Sequence, residues 1–244
     1  MIPTSSSIPW LICLALVILV AYLCNKLHKA TYFAPRNHKK PVTPDQALDR
    51  LIQGNNEYIQ SGTSEFDRKN VAESQHPFAI ILTCSDSRVS PELIFNQLHV
   101  GSLFVVRNAG NIVGNTVLGS IEFAVKYLET PLIIVLGHER CGAITAAVNA
   151  ALENQTECSA HIQAIINIIK PVVDKTLQDT NLKKPISINN KNQILKKAAF
   201  ENIHHVLQQI SQDSPIISKA IVDKKVKLIG AYYDLDYGNL EFID

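Results

Sequence analysis

Short, unbroken apolar runs alternate with helically spaced ones along most of this chain. Phe78–Thr83, Leu103–Val106 and Leu132–Leu136 are rich in Ile, Leu and Val and too short for typical helices. Each is predicted as a strand buried on both faces, as in a parallel sheet. Thr116–Tyr127 carries Val117, Ile121, Ala124 and Val125 at helical spacing, with Leu128 just beyond. Cys141–Leu152 is alanine-rich and predicts a closely packed helix. Upstream, Thr43-Pro44-Asp45 reads as a helix start, with Thr43 as N-cap, Pro44 at the first helical position and an acid in the first turn. Ala47, Leu48, Leu51, Ile52 and Tyr58 form its apolar face, and Gly62 ends it. Glu153–Pro215 predicts amphipathic helices broken near Pro171 and Pro185, with no chemistry of their own. Two closing strands, Val226–Tyr233 and Leu240–Phe242, are joined by a turn at Asp236-Tyr237-Gly238-Asn239. Strands alternating with helices predict an α/β fold with a mostly parallel central sheet flanked by helices. Ligands of such sheets gather at the carboxyl ends of the strands.

The N-terminus follows neither period. Ile8–Cys24 holds no charge and is about as long as the shortest bilayer spans, so it predicts an N-terminal hydrophobic helix in a membrane. Trp10 and Tyr22 lie near its ends, as interfacial aromatics do. Met1–Ser7 lacks Lys and Arg, whereas Lys26, Lys29, Arg36, Lys39 and Lys40 follow the run. That asymmetry favours a domain on the cytoplasmic side. The alternative is a cleaved signal and export to the periplasm, although a basic start and a clear small-residue cleavage site are missing. Residues 1–40 are thus read as a membrane segment (or signal) with a linker, and 41–244 as one domain.

Composition removes some functions. Across 244 residues, 23 Lys and Arg balance 22 Asp and Glu, which leaves no basic footprint for nucleic acid. Five cysteines, an odd number at positions 13, 24, 84, 141 and 158, suit ligands and buried thiols better than a disulfide framework. The chemistry concentrates at two strand ends. The first run stops at Cys84, with Asp86 and Arg88 at alternate positions after it; the third stops before His138, with Cys141 three residues on. Cys, His and Cys are ligand types that zinc accepts, and three protein ligands leave a fourth position for catalysis. A helix start at Cys141 favours its thiolate. A single strand-end cysteine is usually an apolar core residue, and an exposed Asp–Arg pair is worth little. Two motifs at matching strand ends are far more specific than either alone.

Cys84-Ser-Asp-Ser-Arg88 and Gly137-His-Glu-Arg-Cys-Gly142 together resemble the β-class carbonic anhydrases. The likeness runs from about Pro44 to Phe242 and includes Val106-Arg107-Asn108-Ala109-Gly110-Asn111 and Gly230-Ala231-Tyr232-Tyr233-Asp234. It implies reversible hydration of CO2 to bicarbonate and a proton by zinc-activated hydroxide, with one Zn2+ per subunit held by Cys84, His138 and Cys141. It also implies Asp86 and Arg88 as the dyad beside the metal, and a homodimer or higher homo-oligomer whose site is lined partly by the neighbouring subunit. Gln75, in Gln75-His76-Pro77, matches the substrate-binding glutamine of members with a plant-like site. A second subgroup has a tryptophan where this chain has Ile81, so regulation through that subgroup's bicarbonate pocket is not expected, although Arg107 is present. Val89 and Phe95 are read as lining a CO2 pocket, and His76, His99 and Tyr127 as candidate proton shuttles. Two other readings keep the zinc: hydrolysis of COS or CS2 at the same centre, and a non-catalytic zinc-binding scaffold.

Overall fold

A computed structural model describes residues 12–23, 43–60, 68–153, 158–180 and 188–243. The chain divides into two units, Met1–Gln60 and Ser61–Asp244. The first contains helices α1 (12–23) and α2 (Pro44–Gln60). Thr43 caps α2 reciprocally: its hydroxyl accepts from Gln46 N at 3.2 Å, and its own N–H donates to Gln46 Oε1 at 3.1 Å. The expected stop at Gly62 lies outside the described residues. Among the described residues no helix is long and apolar enough to cross a membrane; residues 8–11 and 24 of the hydrophobic run lie outside them.

The second unit begins with a short helix, α3 (68–71), and is built on one five-stranded sheet. Its elements are β1 (Ala79–Cys84), α4 (Pro91–Ile94), β2 (Leu103–Asn108), α5 (Asn115–Tyr127), β3 (Leu132–His138), α6 (Gly142–Glu153), α7 (Ala160–Thr180), α8 (Ile188–Asp213), α9 (Pro215–Val222), β4 (Lys227–Tyr233) and β5 (Leu240–Ile243). The strand order is β2-β1-β3-β4-β5, with the first four parallel and β5 antiparallel to β4.

Alternate residues of each central strand enter different cores, as a two-residue period requires. Ile80, Leu82, Ile133 and Val135 pack with Ile121 and Ala124 of α5, Ile203 and Ile210 of α8, and Ile217 of α9. Ala79, Ile81, Ile134 and Leu136 pack with Val89 and Ala231. Ile80, Leu82, Ile133 and Leu136 are fully buried, each contributing roughly 1.5–3 kcal/mol of transfer free energy. A third core, formed by α6, α7 and α8, lies beside the ends of β1 and β3 and takes in Cys84 and Cys141. Gly137 lets α8 approach the sheet here, since a Cβ at that position would sit 2.7 Å from Ile203 Cδ1.

One expectation about the helices changes. Pro171 does not break the chain but lies inside α7. The apolar face of that helix, Ile166, Ile169, Val172, Val173 and Thr176, is buried continuously on both sides of the proline. That burial outweighs the roughly 3 kcal/mol that an interior proline costs. Pro185 lies outside the described residues. Pro215, by contrast, starts α9, where Ser214 caps Ile217 N at 3.2 Å.

Candidate active site

Register brings the two motifs together. Thr83 lies opposite Leu136 on the neighbouring parallel strand, so Cys84 and His138 emerge from the same end of the sheet. After His138 the chain turns through Arg140, at φ +52°, and enters α6 directly after Cys141. Cys84, His138 and Cys141 are each about 95% buried or more. One ligand atom from each lies within 4.8 Å of the others.

The donors fit zinc. The two sulfurs are 3.9 Å apart, and a tetrahedral centre with Zn–S bonds of about 2.3 Å would space them by about 3.8 Å. His138 Nδ1 lies 2.8 Å from the carbonyl oxygen of Glu139. A carbonyl only accepts, so Nδ1 carries the proton and the lone pair is left on Nε2. That Nε2 is buried and has no hydrogen-bond partner. A buried nitrogen lone pair beside two sulfurs, with its ring orientation set by the opposite nitrogen, is how a metal-binding histidine is prepared.

The charges also call for a cation. Without metal, the hydrogen bond from Cys141 is the largest influence on Cys84 and, aided by the Gly110 N–H, it lowers the Cys84 thiol. Cys141 moves the other way: its bond to the Cys84 sulfur, burial and the neighbouring negative charge all raise it, and the N–H groups of Ile144 and Ala143 do not offset them. The preference for the thiolate that a helix start gives Cys141 is thus opposed, in the metal-free chain, by the sulfur beside it. Two thiolates this close repel, and a dication removes that repulsion.

Asp86 and Arg88 form a fixed pair beside the cluster rather than a loose surface contact. Arg88 Nε donates to Asp86 Oδ1 at 2.9 Å, Nη2 donates to Oδ2 at 2.7 Å, and the Arg88 backbone N–H reaches Oδ1 at 3.0 Å. This fork holds the Asp86 carboxyl well below the usual carboxylate range. The Asp86 side chain is 16% exposed. Arg88 Nη2 also donates to the Arg140 carbonyl at 3.3 Å, which ties the dyad to the turn between His138 and Cys141. Arg140 is clamped in turn by a bidentate pair to Asp236, at 2.9 and 2.7 Å.

Arg107 has a role that the motif alone does not reveal. Its Nε donates to Cys84 O at 3.1 Å, and its Nη2 donates to Asp86 O at 2.8 Å and Val89 O at 2.7 Å. One guanidinium thus braces the loop from Cys84 through Asp86 to Val89. Two further residues bear on Cys84: Gly110, within the stretch already noted for its likeness, whose N–H lies 3.4 Å from its sulfur, and Asn202 of α8, which no local signal marks and which binds the Gly110 carbonyl at 3.0 Å. The reading of Glu153–Pro215 as devoid of chemistry overlooked this contact.

Other sequence-selected residues lie elsewhere. Gln75 is exposed on the segment before β1. Val89 is fully buried, and Phe95 lines an apolar cleft of about 390 Å³ with Ile81, Ile134 and Ile229. None of Cys84, His138 and Cys141 lines that cleft. His76, His99 and Tyr127 are exposed.

Known proteins match this arrangement. The family model described as carbonic anhydrase matches residues 79–240. Carbonic anhydrase 2 of Mycobacterium tuberculosis is 33% identical over 204 residues, covering 81% of this chain and 91% of that protein. A carbonic anhydrase of Pseudomonas aeruginosa is 32% identical over 187 residues, covering 72% of this chain and 77% of its own. Among solved structures, the β-carbonic anhydrase CcaA superposes with a TM-score of 0.72 at 26% identity, covering 81% of this chain and 88% of CcaA. The strand order, the strand-end ligands and these relatives lead to one conclusion: the chain belongs to the carbonic anhydrase family, in its β class.

Proposed function

We propose that Cys84, His138 and Cys141 hold one zinc ion per subunit and that Asp86, fixed by Arg88, serves the reversible hydration of CO2 to bicarbonate. The observation that carries this reading is the unpartnered, buried Nε2 of His138 beside two sulfurs 3.9 Å apart. Zinc, when bound, lowers the pKa of a coordinated water towards neutrality and so supplies the nucleophile. Asp86, held ionised and in place by Arg88, would accept a hydrogen bond from the attacking water or hydroxide and orient it. Gln75, on the exposed segment before β1, is assigned to donate its amide to a substrate oxygen by its match to the glutamine of plant-like sites. The deciding experiment is metal analysis of the purified full chain together with stopped-flow CO2 hydration. A chain without zinc, or a zinc-loaded chain without hydration activity, contradicts the reading.

Two thiolates and a neutral imidazole cancel the charge of Zn2+. Such a centre acidifies water less than one with three neutral ligands. Activity should therefore rise towards alkaline pH across about pH 6 to 9. A flat kcat/KM profile over that range would contradict the charge argument.

The site is assigned to the plant-like type. Ile81 is 1% exposed within β1, and the Arg107 guanidinium is already engaged by three carbonyls. Neither residue is available for a regulatory bicarbonate pocket. The catalytic domain is assigned to residues 41–244, with the active unit a homodimer or larger. Two β-carbonic anhydrases of Sordaria macrospora with this fold, at 21% identity and a TM-score of 0.68, are described as tetrameric.

Residues 8–24 are assigned as a membrane anchor, with the catalytic domain on the cytoplasmic side, on the strength of the uncharged run and the basic residues after it. Protease added to sealed spheroplasts should then spare the domain. Digestion of the domain from outside, or a mature chain that begins after Cys24, supports the exported alternative instead.

A further inference from the structure

We infer that Asn202 is a positioning residue for the metal site, holding the Cys84 sulfur through the Gly110 loop; this rests on the zinc reading above. Asn202 lies on α8 among Ala199, Ile203 and Val206, all of which pack into the sheet-side core. It is 2% exposed. An apolar residue is the default there, because a buried amide without a partner costs about 1–3 kcal/mol. Asn202 has a partner: its Nδ2 donates to the Gly110 carbonyl at 3.0 Å. The amide orientation is unambiguous, since only the NH2 side can donate to a carbonyl.

Gly110 links this contact to the metal ligand. Its N–H donates to Cys84 Sγ at 3.4 Å. The loop reaches that position by an unusual path, with Gly110 at φ +84° and Asn111 at φ +44°, two consecutive left-handed residues. A side chain at 110 is excluded, because a Cβ would lie 2.8 Å from Ile169 Cδ1 and 3.1 Å from Ala143 Cβ. Ala143 follows Cys141 closely in the chain, so the Gly110 peptide is lodged between the two cysteine-bearing segments. The loop is closed at its base by Asn108, whose side chain binds both the N–H and the C=O of Ile112, at 2.9 and 2.7 Å. Asn108 secures the ends of the turn, and Asn202 secures its middle. Removing Asn202 leaves the Gly110 carbonyl buried without this partner and frees the peptide to rotate, which carries the N–H away from the sulfur.

The test uses the full-length chain in its zinc form and in a form with Co2+ as spectroscopic probe. Asn202→Leu removes the donor while keeping the same branching, and Asn202→Ser leaves a smaller side chain whose hydroxyl is too short to reach. Ile210→Ala, on the same helix but away from the loop, controls for lost stability. Both Asn202 variants should bind zinc at least about tenfold more weakly in chelator competition, the range found when groups supporting metal ligands are removed. Their cysteine-to-cobalt charge-transfer band should shift to lower energy, because a thiolate without its N–H partner donates electrons more readily. Ile210→Ala should lower Tm while leaving affinity and band at wild-type values.

A folded Asn202 variant with wild-type affinity and an unshifted band overturns the inference, as does an Ile210→Ala variant that moves both equally. If neither Asn202 variant folds, hydrogen exchange of the metal-free wild type decides. Amides 109–112 already protected before zinc is added support a preformed loop, and protection that appears only with zinc overturns it. Wild-type protein that binds no zinc removes the zinc reading and this inference together. Wild type that binds zinc beside unchanged Asn202 variants removes only the inference.

Discussion

Replacing Cys141 by serine should strip zinc from the protein and abolish CO2 hydration. Serine is nearly isosteric, but its hydroxyl is not a thiolate at neutral pH and does not replace a soft anionic ligand. The loss is more than one ligand in three. Cys84 and Cys141 share a metal-free hydrogen bond at 3.9 Å, and Cys141 is the largest single influence stabilising the Cys84 thiolate. Metal content should fall from about one per chain to near zero, read by elemental analysis after dialysis. Zinc at about a thousand times its Kd adds about 4 kcal/mol to stability. For a chain of this size, at about 2–4 °C per kcal/mol, a metal-free variant or chelated wild type should melt roughly 10 °C lower. A Cys141→Ser protein that keeps stoichiometric zinc and full turnover would sink the ligand assignment.

Asp86→Asn should separate metal binding from catalysis. Asp86 is not one of the three clustered ligands, so zinc content should remain at wild-type level. Turnover should fall by about a hundredfold or more, the usual effect of removing a positioned acid–base group. Asparagine keeps the shape but places an NH2 where Arg88 expects an acceptor, so one arm of the fork at 2.9 and 2.7 Å is lost. Arg88→Lys makes a useful companion. Arg88 depresses Asp86 from a value already acidic, so the carboxylate is ionised at neutral pH with either cation beside it. Any neutral-pH loss in Arg88→Lys thus reports geometry rather than charge, and a single ammonium cannot reproduce two parallel bonds. Stopped-flow hydration with metal analysis of both variants decides. Full activity in Asp86→Asn would refute the role given to Asp86.

Much of the site could be read in one dimension because its signals are local. Cys84 and His138 terminate strands whose apolar runs are continuous, and Asp86 and Arg88 follow at fixed, short offsets. The boundaries moved by a residue or two, as with β3, which continues through His138. The misreadings share a different origin. Pro171 is a breaker by propensity, but burial on both sides of it keeps α7 intact. Cys141 was read from its helix start alone, and the neighbouring sulfur, which opposes its thiolate, was out of view. Arg107 was not misread, since no regulatory pocket was expected, but its bracing of the loop around Asp86 was missed. Each outcome depends on what is packed against the residue, and sequence neighbours do not carry that information.

The sequence alone determined the parallel α/β layout, the candidate zinc cluster and the Asp86–Arg88 pair beside it, because periodicity and ligand chemistry are properties of short segments. Tertiary structure decided that Thr83 aligns with Leu136 and so brings the two motifs to one point. It decided which histidine nitrogen is free, through the Glu139 carbonyl. It also brought Asn202 to Gly110 and Arg140 to Asp236, pairs far apart in the chain. Such polar contacts leave no period, and in a helical pattern Asn202 reads like any solvent-facing residue. Only the close packing of α8 against the strand ends buries it and gives its amide a partner.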